Sequence, residues 1–108
     1  MVRVEFTFGI GLDRDGNPIA RHAANIAIGA ILADASKLFG GGTLVLGQGF
    51  WRDPATGVVA REDTATIHTD LPVPEEIATA RLVDSIKRHL NQAAVRVSEI
   101  SLTGSADL

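Results

Sequence analysis

Residues 43–70 constrain the fold more than any other stretch. The run Thr43-Leu44-Val45-Leu46-Gly47-Gln48-Gly49-Phe50-Trp51-Arg52 meets a turn at Asp53-Pro54-Ala55-Thr56-Gly57 and returns through Val58 to Asp70. Two β-rich runs joined by a Pro- and Gly-containing turn read as a long β-hairpin. Two adjacent antiparallel strands are therefore set before the rest of the chain is considered.

The flanking segments decide what the hairpin joins. Val2, Val4, Phe6, Phe8, Ile10 and Leu12 alternate with Arg3, Glu5, Thr7, Gly9 and Gly11. This period of two predicts a strand over residues 2–12 with one face buried. The turn residues Asp13-Arg14-Asp15-Gly16-Asn17-Pro18 then leave the sheet. Asp13, Asp15 and Asn17 are spaced like the start of a calcium loop, but the glycine falls one place early and no distal Glu follows, so turn chemistry accounts for them. From Ile19 to Phe39, Ala24, Ile28, Ile31, Leu32, Ala35, Leu38 and Phe39 recur at helical spacing. Ile26 falls off that stripe and is free to meet a partner. Gly40-Gly41-Gly42 ends the helix, with the first as its left-handed cap. These glycines leave a helix rather than enter one, which is the wrong geometry for a phosphate loop.

After Leu71-Pro72-Val73-Pro74 a second helix is expected, with Pro74 in its first turn and Ile77, Leu82, Val83, Ile86 and Leu90 on its apolar face. A last strand is expected over residues 94–102, with a bulge where the alternation slips at Ser98-Glu99. The tail, residues 103–108, is expected to fray. The order strand, helix, strand, strand, helix, strand predicts one α+β domain over residues 1–108. Its expected fold is ferredoxin-like βαββαβ, a four-stranded antiparallel sheet with two helices on one face.

The chain has 108 residues, no cysteine and a net charge of −3. Thiolate chemistry, disulfides and zinc-thiolate sites are excluded. Without a Lys/Arg cluster no nucleic acid is expected as partner. No signal peptide is visible, and the most apolar stretch, Ala23 to Ala33, is shorter than the roughly 20 residues of a membrane span. A soluble cytoplasmic protein that does not engage a membrane is the expectation. His22, His68 and His89 lie on different elements without metal spacing, so neither a metal nor a cofactor is expected. No nucleophile elbow or Ser/His/Asp constellation is evident.

The hairpin carries a resemblance. Gly47-Gln48-Gly49-x-Trp51-Arg52, followed by Gly57-x-x-x-Arg61-Glu62, resembles a family of short uncharacterised bacterial proteins, a domain of unknown function. The likeness covers roughly residues 5–70. It implies a helix, a glycine-containing strand, a Trp near the turn and an Arg-Glu pair on the returning strand, and it implies no activity. Family members often begin with a secretion or lipoprotein signal, which this chain does not show.

Pairing Arg52 with Val58 sets Trp51 against Val59, Gly49 against Arg61 and Gly47 against Asp63. That register puts Leu44, Leu46, Phe50, Val58 and Ala60 on the helix side. It puts Trp51, Arg61, Asp63, Val45, Ala65 and Ile67 on the open face, beside Arg3, Glu5 and Thr7 from the first strand. Gly47 and Gly49 would open space next to Arg61 and Asp63. Glu62 and Gln48 would face each other on the core side, a costly place for a carboxylate, and a slip of one residue would exchange Glu62 for Arg61.

Two functions follow. One is a small binding or protein-interaction domain, a homodimer or larger homo-oligomer formed through the sheet. The other is a small enzyme of isomerase or lyase type acting on a small acidic metabolite. It would bind an anionic ligand through Arg61, Arg3, Trp51, Gly47 and Gly49, with Asp63, Glu5 or His68 as the base.

Overall fold

A computed structural model describes residues 1–102; the expected fray of residues 103–108 lies outside them. The elements are β1 (Val2–Gly9), α1 (Arg21–Phe39), β2 (Thr43–Arg52), β3 (Val59–Leu71), α2 (Glu76–Leu90) and β4 (Arg96–Ser101). All strand pairs are antiparallel, in the order β2-β3-β1-β4. This is the ferredoxin-like fold. Val4, Phe6 and Phe8 of β1 and Ala65, Ile67 and Leu71 of β3 form one buried cluster with Ile31 and Ala35 of α1 and Leu82, Ile86 and Leu90 of α2. Both helices therefore cover the same face. Phe6 and Phe39 meet with ring centroids 5.9 Å apart. Gly40 caps α1 with φ 85°, its N–H reaching the Ser36 carbonyl. That conformation suits a residue without Cβ.

The boundaries correct several expectations. β1 stops at Gly9 rather than at residue 12, and only Leu12 makes a further bridge, to Pro18. α1 begins at Arg21 because the Ile19 N–H is taken by the Gly11 carbonyl, 2.8 Å away. α2 begins at Glu76 with Glu75 as its cap, so Pro74 precedes the helix instead of opening it. β4 pairs without a break from Thr7↔Arg96 to Val2↔Ser101, and the bulge at Ser98-Glu99 is absent. An exposed edge strand can carry Glu99 on the helix side, because its carboxylate reaches water.

The larger correction concerns the hairpin. Asp53 joins the ladder, its N–H donating to the Val58 carbonyl at 2.9 Å, and Gly57 closes the loop onto the Asp53 carbonyl at 2.7 Å with φ 73°. Arg52 thus pairs with Val59, not Val58, and the offset continues to Thr43↔His68. A slip of one residue exchanges the faces of β3 relative to β2. Ala65 and Ile67, expected on the open face, are 0% and 2% exposed in the core. Arg61 and Asp63 move with them to the helix side. Glu62, Thr64, Thr66, His68 and Asp70 take the open face, and Ala60 joins them opposite Trp51. β1 explains why: Phe6 pairs with Ile67 and Phe8 with Ala65, so the strand that fills the core dictates which β3 residues point inward.

Candidate functional site

Along the open face, β1 and β3 form a ladder of cross-strand polar pairs. Arg3 donates to Asp70 through Nε at 2.8 Å and Nη2 at 3.2 Å. This bond holds the Asp70 carboxyl below the usual Asp range and raises Arg3. Next along the ladder, Glu5 lies opposite His68, and Thr7 shares a 3.0 Å hydroxyl–hydroxyl bond with Thr66. Val45 and Trp51 come from β2, and Arg96 and Ile100 from β4. Of the expected site residues, Arg3, Glu5, His68, Trp51, Gly47 and Gly49 share this face, while Arg61 and Asp63 do not. Arg3 is committed to Asp70, so the anion clamp expected of Arg3 and Arg61 together is not assembled within one copy.

The glycines do open space, but beside other residues. A Cβ at Gly47 or Gly49 would stand 3.6 Å or 3.3 Å from the Thr64 side chain, and Gly49 pairs with Glu62. The Glu62 side chain crosses the end of β1, where a Cβ at Gly9 would collide with its carboxylate and one at Gly11 would touch its Cγ at 3.4 Å. Its Oε1 accepts the Leu12 N–H at 3.2 Å. A side chain at Gly9 would displace the Glu62 carboxylate from that path, whereas one at Gly11 would make ordinary contact with it. Trp51 stands two residues from Gly49 on the same strand face, partly exposed. Gly47, Gly49 and Trp51 thus line the β2 side of the open face, while the Glu62 carboxylate turns to the β1 side, over Gly9 and Gly11. The signal that identifies Glu62 was present: once Ala65 and Ile67 are taken as core, parity assigns every even residue of β3 to the open face.

On the other side of the sheet, a cleft of about 470 Å³ lies where the hairpin emerges from under α1. Ile10, Ile19 and Leu46 give it apolar walls; Arg21, Asn25 and Asp63 supply its polar groups. Asp63 accepts a 3.2 Å bond from Gln48 Nε2. The loop that walls it, residues 10–20, is fastened at several points. Ile10 N–H reaches the Asp63 carbonyl at 2.9 Å, and Arg14 N–H reaches the Asn91 carbonyl at 2.8 Å. Gln92 Nε2 donates to the Gly9 carbonyl at 2.9 Å and the Leu12 carbonyl at 2.6 Å. Asp13 folds the tip, accepting the Asp15 and Asn17 N–H groups, and the Asn17 bond lowers its carboxyl.

Between the outer faces of the helices, the buried Ser85 hydroxyl donates to Asp34 at 2.6 Å, with His89 Nε2 3.8 Å from the same oxygen. The Ser85 bond is the first cause of the lowered Asp34 carboxyl. Ser85 is 1% exposed, so its hydroxyl links α2 to α1 rather than meeting a substrate. Among the described residues no group of three or more His, Asp or Glu converges to hold a metal, and no helix is long and apolar enough to cross a membrane.

No protein family and no curated protein sequence matches the chain. Solved structures do share its fold. A phage SAM lyase in complex with S-methyl-5'-thioadenosine superposes with a TM-score of 0.58 at 14% identity, over 94% of this chain and 89% of that one. CutA1 from Pyrococcus horikoshii gives 0.51 at 14% identity, over 99% and 88%. CutA from Xylella fastidiosa gives 0.55 at 9% identity, over 98% and 88%. At these identities the likeness is one of fold.

Proposed function

We propose that this chain is a cytoplasmic binding domain that associates with copies of itself through its sheet and hairpin, with a small-ligand site at the hairpin base. One observation carries the reading: the hairpin runs beyond the helices with apolar side chains on both faces. Phe50 and Val59 lie on the helix side, Trp51 on the open side and Val58 at the tip, exposed by 78%, 50%, 47% and 62%. A two-stranded ribbon is marginal when neither face is covered. β2 is also an edge strand, with no proline and no charge before Arg52. Such an edge is ordinarily blunted or paired. A second copy offers the same apolar ribbon and the same free edge, so one surface answers both needs. Sedimentation of wild type against the Phe50→Ser/Val59→Ser double variant tests this. Wild type should run well above 11.4 kDa and the variant as a monomer with unchanged circular dichroism; a monomeric wild type at tens of micromolar refutes it.

A second reading, a small enzyme of lyase or isomerase type, is favoured by the placement of Glu62. A carboxylate laid over Gly9 and Gly11 at the end of β1 suits a ligand carrying a positive charge. A groove of about 270 Å³ links Glu62 to Arg61 and Gln48 at the same end of the sheet, where Arg61 supplies a contact for an acidic group. Glu62 replaces Asp63, Glu5 and His68 as the base of this reading. The SAM lyase of the same fold suggests the first substrate to try: incubation with SAM, followed by chromatography for S-methyl-5'-thioadenosine, with Glu62→Gln alongside. Product from wild type alone supports the enzyme; no product from either removes SAM as its substrate.

A further inference from the structure

The helix-side cleft sits across the sheet from Glu62 and plays no part in the two readings above. Its charged groups are arranged unusually for a chance surface depression. Arg21 comes from the first turn of α1 and Asp63 from β3, so the two charges stand on different walls of one cavity of about 470 Å³. They do not pair with each other, and among the described residues neither has an ion-pair partner. The polar contact made by the Asp63 carboxylate is with neutral Gln48, which leaves its charge uncompensated. Asn25, one turn along α1 from Arg21, adds an amide to the same wall. Ile10, Ile19 and Leu46 line the same cavity with apolar side chains. Gly11 and Gly47 contribute backbone to the cavity lining.

The walls are also built in advance. The loop carrying Ile10, Gly11 and Ile19 is tied to β3, to itself and to the end of α2 by the bonds of Ile10, Ile19, Arg14 and Gln92. A ligand entering the cleft would not have to order it, and avoiding that cost is a main source of affinity in small sites.

We propose that this cleft binds a small zwitterion of the α-amino-acid type. Its carboxylate lies against Arg21 and Asn25, its ammonium against Asp63, and its apolar side chain on Ile10, Ile19 and Leu46. A singly charged molecule answers only one wall and leaves the other charge unmatched. A zwitterion answers both and carries no net charge into the cleft.

Calorimetric titration with three probes of one skeleton tests this: leucine, its deaminated acid 4-methylpentanoate, and its decarboxylated amine isopentylamine. Leucine should bind at least about tenfold more tightly than either, the factor expected when one charged contact is lost. Asp63→Asn should weaken leucine by about that factor and leave the acid unchanged, and Arg21→Ala should do so while leaving the amine unchanged. Both positions are exposed, so the variants should melt with wild type, and Lys37→Ala on the far side of the helices should titrate like wild type. Equal binding of the three probes, no leucine binding at millimolar concentration, or variants indistinguishable from wild type each overturn the assignment. Because the readout is ligand heat rather than sedimentation, failure here is separable from failure of the self-association reading.

Discussion

Replacing Gln92 tests how the loop beside the cleft is held. Its side-chain amide donates at once to the Gly9 carbonyl, in a part-buried bond, and to the Leu12 carbonyl, in an exposed one. Gln92→Ala removes both donors. At about 1 kcal/mol for a typical intramolecular hydrogen bond, the expected loss is about 2 kcal/mol, less whatever water restores at the exposed Leu12 carbonyl. For a domain of this size that corresponds to a fall in Tm on the order of 10 °C. Gln92→Glu preserves shape but aims a carboxylate at two carbonyl oxygens. At neutral pH it should be less stable than Gln92→Ala; because the two carbonyls raise its folded pKa, it should recover as pH falls through that raised value and be fully recovered below the unfolded Glu value of about 4.3, where the protonated acid regains one donor. Urea titration at fixed protein concentration measures both, with m unchanged and the midpoint lowered. Amide exchange should accelerate at Ile19, whose N–H bond to Gly11 closes the same loop. A Gln92→Ala variant within about 0.5 kcal/mol of wild type would show that the bonds do not hold the loop, and a Gln92→Glu variant more stable than Gln92→Ala at neutral pH would show that donation is not what matters.

Other consequences can be checked directly. A Cβ at Gly42 would lie 2.7 Å from the His68 carbonyl oxygen, which is backbone and cannot swing aside; Gly42→Ala should cost about 1–3 kcal/mol in thermal unfolding. Ile31 is fully buried between helices and sheet, and Ile31→Ala should cost about 2–5 kcal/mol through the cavity it leaves. Asp70 and Asp34 titrate below their ordinary range because of Arg3 and Ser85. Their contribution to stability is therefore present above the unfolded Asp value of about 3.9 and is lost as pH falls through the lower folded values. Arg3→Ala should flatten that acid limb and return the Asp70 carboxyl, followed by NMR titration, toward its ordinary pKa; an unmoved titration would exclude Arg3 as the cause.

Several elements were legible because their cause is local. Alternation marked β1, helical spacing marked α1 and α2, Gly40 marked the end of α1, and Asp53 to Gly57 marked the hairpin turn. With six elements in that order, right-handed connection leaves the ferredoxin-like sheet as the compact solution. Gly47, Gly49 and Trp51 were also assigned to the correct face, since β2 shows its own alternation.

The partner of those glycines was not legible. Beyond the helices the hairpin is apolar on both faces, with Phe50 and Val59 on one and Trp51 on the other, so its pattern does not distinguish a register from the same register slipped by one. The choice falls to long-range packing. Ala65 and Ile67 must meet Phe8 and Phe6 under α1 and α2, and that requirement draws Asp53 into the ladder and turns Arg61 and Asp63 to the helix side. The residue types at the hairpin base are thus written in the chain, whereas the placement of Glu62 opposite Gly49 and of Asp63 across the cleft from Arg21 exists only once β1 has fixed which way β3 faces.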